Sequence, residues 1–211
     1  MFNAQSVGNK SASIQRWISD AKLNIGTLVE TWHDDACMPP GFRYLEKARQ
    51  RPDGFMKVNH GGVCMLYDHS LQARRLQLPN FSSFEVIAAY LHRSGFNAVV
   101  VVIYRPGSQV ITQSFFKDFG NLLEHTATFS AQTMIVGDLN VHVDDVSDAN
   151  ARRLSDMLDS HNLVQHIEKP TQKRGHTLDL VITRADLAVS LQPVDPPLLS
   201  DHSFVVVDID S

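Results

Sequence analysis

Acidic and amide side chains stand where the apolar runs of this chain stop. Ile25–Val29 runs into Glu30, Ala98–Ile103 runs into Tyr104, and Thr133–Val136 leads through Gly137 to Asp138-Leu139-Asn140. Asp179 lies inside the apolar run Leu178–Thr183, and Ser200-Asp201-His202 come just before Phe204–Ile209. A carboxylate beside a buried run pays a large desolvation cost unless a cation or hydrogen-bond donors satisfy it. Strand ends on one rim of a sheet converge in space, and rigid strands hold polar groups firmly. Several such groups together point to a shared hard cation. An oxygen-rich donor set without thiolates favours magnesium or manganese over zinc.

Each group alone has a plainer explanation. G-D-x-N at 137–140 fits a strand-to-turn junction closed by an Asx-turn. Glu30 fits a surface strand end, and His202 a hydrogen-bonded histidine with no chemical role. Asp179 is harder to dismiss. A buried Asp needs a partner, and a histidine on the neighbouring strand is the natural one. The weight lies in the conjunction, because order, spacing and strand-end placement all agree.

The elements that must position these groups are legible in outline. Ile14, Trp17, Ile18 and Ala21 repeat at helical spacing, with Ser11 or Ser13 expected as N-cap. Phe115, Phe116, Phe119, Leu122 and Leu123 form a second stripe, and Ala151, Leu154, Met157 and Leu158 a third. Short apolar runs of strand length lie between them: Ile25–Val29, Gly62–Tyr67, Phe84–Leu91, Ala98–Tyr104, Thr133–Val136, Leu178–Thr183 and Phe204–Ile209. Several are β-branched and nearly continuous, as in strands buried on both faces. His92–Asn97 (HRSGFN) reads as a hairpin turn. Strands dominate, so two sheets packed face to face with helices outside fit better than one doubly wound sheet.

With 211 residues the chain fits a single domain that buries its core without staples. Its net charge of −4 argues against a broadly basic nucleic-acid coat. It leaves room for an enzyme whose carboxylates hold a cation against a phosphodiester. The basic clusters Lys47/Arg49/Arg51, Arg74/Arg75, Arg152/Arg153 and Lys169/Lys173/Arg174 read as solvated faces. Cys37 and Cys64 form no disulfide framework or zinc motif and fit an intracellular compartment. The longest apolar run, Ala98–Tyr104, is far short of the ~18 residues of a membrane span. The N-terminus lacks the apolar segment of a signal peptide.

The ordered motifs N-A-Q-S-V-x-N-K from Asn3, V-E-T-W around Glu30, G-G-V from Gly61, I-Y-R-P around Tyr104, G-D-L-N-V-H around Asp138, H-T-L-D-L-V-I-T around Asp179 and S-D-H-S around Asp201 resemble the endonuclease/exonuclease/phosphatase superfamily. More narrowly, they resemble the apurinic-type endonuclease domain of LINE-type non-LTR retrotransposons. The likeness spans nearly the whole chain. It implies an α/β (α+β) fold, a four-layer α/β/β/α sandwich of two packed mixed β-sheets with outer helices. Residues 1–211 would form one such domain, excised from a larger retrotransposon polyprotein.

The resemblance further implies magnesium-dependent cleavage of a phosphodiester, with manganese as a substitute. Glu30 would be the main metal ligand, with Asn3 beside it and Asp201 near the metal. Asp138 and Asn140 would orient or activate the attacking water, and Tyr104 would donate to the phosphate. His202, oriented by Asp179, would contact the phosphate or move the proton. Thr171 and Ser200 would support the substrate. Asp138 and His202 compete as general base, and Asp138 ranks first. The partners would be double-stranded DNA and a reverse transcriptase, met in the nucleus and not at a membrane.

Three features depart from the family pattern: almost nothing precedes Asn3, Gly107 follows Tyr104-Arg105-Pro106 where a second proline is common, and the stretch Pro170–Asp179 is short. Two other functions share this core. One is a phosphatase or phosphodiesterase acting on inositol phosphates or lipids. The other is a silent remnant that only binds.

Overall fold

The computed structural model describes residues 1–32, 38–49, 60–195 and 198–209. Cys37 and Arg51 therefore lie outside the described residues. In chain order the elements are β1 (Phe2–Asn3), α1 (Ser11–Asp20), β2 (Ile25–Val29), β3 (Arg43–Lys47), β4 (Val63–Tyr67), β5 (Gln72–Arg75), β6 (Glu85–Arg93), β7 (Phe96–Tyr104), α2 (Gln113–Thr126), β8 (Gln132–Asp138), α3 (Ala149–Ser160), β9 (Leu163–Gln165), β10 (Asp179–Arg184), β11 (Val189–Leu191) and β12 (Val207–Ile209). They make one sheet in the order β1-β2-β4-β3, a second in the order β5-β6-β7-β8-β10-β9, and the small pair β11-β12. Both large sheets are mixed: β1–β2 and β7–β8 run parallel, and the other pairs are antiparallel.

The alternation of side chains along the strands sorts the core into three layers. Inward residues of both sheets meet in the middle, among them Val29, Val63 and Met65 from one and Ile87, Val102, Val136 and Val181 from the other. Outward residues of the second sheet, such as Val101, Ile103, Ile135 and Leu180, pack on Phe115, Phe119 and Leu122 of α2 and on Leu154 and Leu158 of α3. Outward residues of the first sheet, including Phe2, Leu28 and Leu66, pack on Ile14 and Ile18 of α1. This is the four-layer α/β/β/α sandwich. Each fully buried Leu, Ile or Phe adds about 1.5–3 kcal/mol of apolar burial, so the double-faced β7 is the spine of the domain.

Two local expectations change. Neither Ser11 nor Ser13 caps α1. Ser11 is the first helical residue, and Lys10 occupies the N-cap position without a side-chain cap. Of Phe204–Ile209 only Val207–Ile209 forms a strand, paired with β11. Upstream, Val205 instead exchanges backbone hydrogen bonds with Met1 (2.9 and 2.6 Å), and Phe204 stacks on Trp17 with ring centroids 3.7 Å apart. The segment seals the edge beside β1 rather than adding to a large sheet. Among the described residues no helix is long and apolar enough to cross a membrane.

Candidate active site

Register builds the site. Across the second sheet, Glu85 pairs with Tyr104, Tyr104 with Asp138, and Asp138 with Asp179. The pleat turns all four toward the other sheet, since Ile87, Val102, Val136 and Val181, two residues along each strand, lie in the inter-sheet core. One polar residue from each of four neighbouring strands thus forms a row across the open end of the sandwich. Gly137 lets β8 take its place in that row. A Cβ there would stand 1.8 Å from the Ile103 carbonyl oxygen, so no larger residue permits this approach of β7 and β8.

Asp138 is fully buried. Its Oδ1 accepts the Asn140 N–H at 2.8 Å, the Asx-turn expected of G-D-x-N. Its Oδ2 accepts from Asn3 Nδ2 at 2.8 Å. The same Asn3 nitrogen donates to Glu30 Oε1 at 3.0 Å. Asn3 therefore turns its amide nitrogen to the two carboxylates, while its Oδ1 accepts the Gln5 N–H at 3.2 Å. The two carboxyl groups and the Gln5 N–H together select that orientation; a half-turn of the amide would present oxygen to a cation. Glu30 Oε2 accepts from the Trp32 indole at 3.1 Å, and Glu30 also accepts from the Tyr104 hydroxyl. Burial, then the charge and hydrogen bond of Glu30, push the Tyr104 phenol far above its usual range, which keeps it a neutral donor.

His202 Nδ1 lies 2.6 Å from Asp179 Oδ2, and both residues are buried. His202 is not on a neighbouring strand of the sheet, as expected, but in an isolated bridge to Gln172. Thr171 and Ser200 brace this pair. Thr171 Oγ1 accepts the N–H groups of Leu178 and Asp179, each at 3.1 Å. Ser200 Oγ donates to the Asn3 carbonyl at 2.7 Å and accepts the His202 N–H at 3.0 Å. Asp201 accepts from Gln172 Nε2 at 3.0 Å through Oδ2, and its Oδ1 stands 3.7 Å from His202 Nε2.

Charge is unevenly shared. Burial, reinforced by the Asp179 charge, raises the Asp138 carboxyl to about 8, against the opposing pull of His202. Burial disfavours charge on His202, but the hydrogen bond and charge of Asp179 outweigh it and raise the imidazole to about 9. Both groups thus hold their protons more tightly than they would in water.

The donor set fits a divalent cation. Ligand atoms of Asp138, Asp179 and His202 lie within 4.8 Å of one another, a cluster beside, and different from, the Glu30, Asn3 and Asp201 set that the motifs imply. Two buried carboxylate oxygens, Asp179 Oδ1 and Asp201 Oδ1, lack a hydrogen-bond partner among the described residues. An orphaned anionic oxygen in a buried cleft calls for a positive ligand.

Three contributors were missed from sequence. Trp32 stands in V-E-T-W, where nothing in the letters marks its indole as a donor to Glu30. Arg105 is buried and donates through Nε to Leu139 O, through Nη2 to Asn140 O, and through Nη1 to Pro106 O and Gln109 O. It laces the loops after β7 and β8 together. Lys10 was only one letter of the opening motif.

Residues 98–206 match the family model described as endonuclease-reverse transcriptase. That stretch is more than half of the chain, and the chain belongs to this family. Among solved structures it is similar to the endonuclease domain of TRAS1, a telomere-specific non-LTR retrotransposon, at 16% identity with a TM-score of 0.73, covering 99% of this chain and 95% of that one. The human nocturnin catalytic domain matches at 16% identity and a TM-score of 0.71, over 99% and 92% of the two chains. An endonuclease/exonuclease/phosphatase family protein from Leptotrichia buccalis matches at 15% identity and a TM-score of 0.69, over 100% and 98%. No curated protein sequence matches. These likenesses bear out the superfamily and the fold read from the motifs.

Proposed function

We propose that the chain is a magnesium-dependent DNA endonuclease, with manganese as a substitute ion. It hydrolyses one phosphodiester of a duplex, leaves a 3′-hydroxyl, and so primes reverse transcription as the endonuclease domain of a non-LTR retrotransposon polyprotein acting in the nucleus. The observation that carries this reading is the Tyr104–Asp138–Asp179 row facing Asn3 and Glu30, with His202 on Asp179.

Glu30 and Asp201, with Asn3, would hold the ion, which would polarise a phosphoryl oxygen and stabilise the leaving alkoxide until solvent protonates it to the 3′-hydroxyl. Asp138 takes the proton of the attacking water, its carboxyl standing beside Tyr104 in the row and held by the Asn3 amide and the Asn140 N–H. His202 enters as imidazolium and donates to the phosphate, and Asp179 fixes its Nδ1–H and supports its charge. Tyr104 and Asn140 add neutral donors toward the developing negative charge. Thr171 and Ser200 hold this arrangement in place behind the substrate.

The test is supercoiled plasmid with the purified chain and magnesium, with and without EDTA. The expected result is open-circular DNA that EDTA abolishes, and a loss of roughly 10²–10⁴-fold in Asp138→Ala and His202→Ala. Intact plasmid together with phosphate release from soluble phosphoesters would favour the phosphatase reading. DNA binding without turnover would favour the silent remnant.

A further inference from the structure

The turn after β1 touches every residue assigned above to the cation. Asn3 opens it and caps the Gln5 N–H, the Ser6 N–H donates to Glu30 O at 2.8 Å, and Gln5 Oε1 accepts the Asp201 N–H at 3.5 Å. Its backbone is unusual. Gln5 (φ +43°) and Ser6 (φ +86°) are consecutive non-glycine residues on the left-handed side of backbone space, where a side chain costs free energy. Such a pair persists only when its surroundings hold it.

Backbone bonds from Ser6 and Val7 to Glu30 and Thr31 hold part of it, and Lys10 holds the first strained residue. Its ammonium donates to Ala4 O at 2.6 Å and Gln5 O at 3.1 Å, the carbonyls on either side of the first strained residue's N–H. The lysine is itself anchored where α1 begins: its backbone carbonyl accepts the Ile14 N–H at 2.9 Å, and Ile14 is fully buried. Nothing about the helix explains a lysine here. A helix N-terminus disfavours positive charge, and Lys10 makes no side-chain cap.

We propose that Lys10 is a positioning residue for the cation ligands: by clamping the carbonyls of Ala4 and Gln5 it fixes the strained turn that sets Asn3 against Glu30 and Asp201. The inference rests on the reading of those three side chains as ligands. The charges of Asp201 and Glu30 act on the Lys10 ammonium against the effect of burial, which places it within electrostatic reach of both. This closeness gives the test a sign. A lysine that acted only through its charge would repel a divalent ion, so its removal would tighten ion binding. A lysine that acts through the turn must, on removal, weaken it.

The experiment is calorimetric titration of the intact chain with Mn²⁺, together with the Mn²⁺ EPR spectrum, for wild type, Lys10→Met, Lys10→Arg and the double variant Lys10→Met/Ser6→Gly. Lys10→Met should weaken Mn²⁺ binding about tenfold, the usual effect of losing a group that orients metal ligands, and should broaden the EPR lines. Lys10→Arg, which keeps charge and donors, should restore both. Ser6→Gly should recover part of the loss, because glycine adopts the turn without strain. Should Lys10→Met not fold, Lys10→Gln replaces it and must show an intermediate loss. Equal or tighter Mn²⁺ binding in Lys10→Met or Lys10→Gln overturns the positioning role while leaving the ligand assignment intact. Failure of Ser6→Gly to recover any affinity overturns it too. No Mn²⁺ binding by the wild-type chain overturns both.

Discussion

Asn3 Nδ2 lies 2.8 Å from Asp138 Oδ2 across 135 positions of chain, joining the two-residue strand at the rim of one sheet to a central strand of the other. That one amide separates two carboxylates, Asp138 and Glu30. Replacing it by a third carboxylate, Asn3→Asp, should destabilise the metal-free chain by about 1–3 kcal/mol, since a buried donor is exchanged for a like charge. Saturating magnesium should recover most of that loss. Thermal melts with magnesium and with EDTA check this, and an Asn3→Asp variant as stable as wild type in EDTA would contradict it.

Without a cation, stability should fall as pH rises. Asp138 is raised from 3.8 to about 8, so the native state holds its proton more tightly than the unfolded chain does. Its contribution is full below 3.8 and is lost as pH climbs through about 8. His202, raised from 6.5 to about 9, adds a loss of the same sign between those values. Denaturant titrations in EDTA should therefore trend downward across this range. Asp138→Asn should flatten the acidic part of the slope and leave the His202 part. A wild-type curve that rises with pH in EDTA would refute the assignment.

Arg105 should matter to both stability and rate. Arg105→Met strips the donors from four carbonyls at the ends of β7 and β8, a loss of roughly 3 kcal/mol and about 6–12 °C in Tm for a chain of this size. Lysine keeps the charge but not the planar fork, so Arg105→Lys should recover only part of it. Nicking should drop further than stability accounts for, because Asn140 Nδ2 bonds the Arg105 carbonyl at 2.8 Å and moves with the loop. Calorimetric melts and plasmid assays on the same preparations separate the two effects.

Two glycines should behave differently. An alanine at 137 meets backbone, the Ile103 carbonyl, and should cost about 3 kcal/mol or more as β7 and β8 are forced apart. An alanine at 107 meets a side chain, with its Cβ 2.5 Å from Asn140 Oδ1. Gly107→Ala should leave Tm nearly unchanged and lower kcat by about 10²-fold through displacement of the Asn140 amide. The same contact gives a physical reason for glycine after Tyr104-Arg105-Pro106, where the family pattern often has proline. Equal Tm losses in the two variants would count against this distinction.

What the sequence disclosed depended on burial. Ile25–Val29 matches β2 residue for residue, and β7 is the run Ala98–Tyr104 with two residues added, because strands covered on both faces read as unbroken apolar letters. β3 (RYLEK), β5 (QARR) and β9 (LVQ) passed unseen. They are edge strands, short and largely exposed, with no such signature. The site followed the same logic. Tyr104, Asp138 and Asp179 announced themselves as polar residues ending or interrupting apolar runs. Arg105 and Lys10 did not, because both bind backbone carbonyls, and every residue carries one whatever its letter.

Tyr104, Asp138 and Asp179 are aligned across the strands, not along them. Each strand contributes a single letter, and the spacing between letters is set by the ladder of the sheet. Insertions, deletions and drift in the connecting loops leave that alignment untouched. The row is therefore insulated from the loops around it: they can lengthen, shorten or change composition while the three side chains keep their mutual spacing.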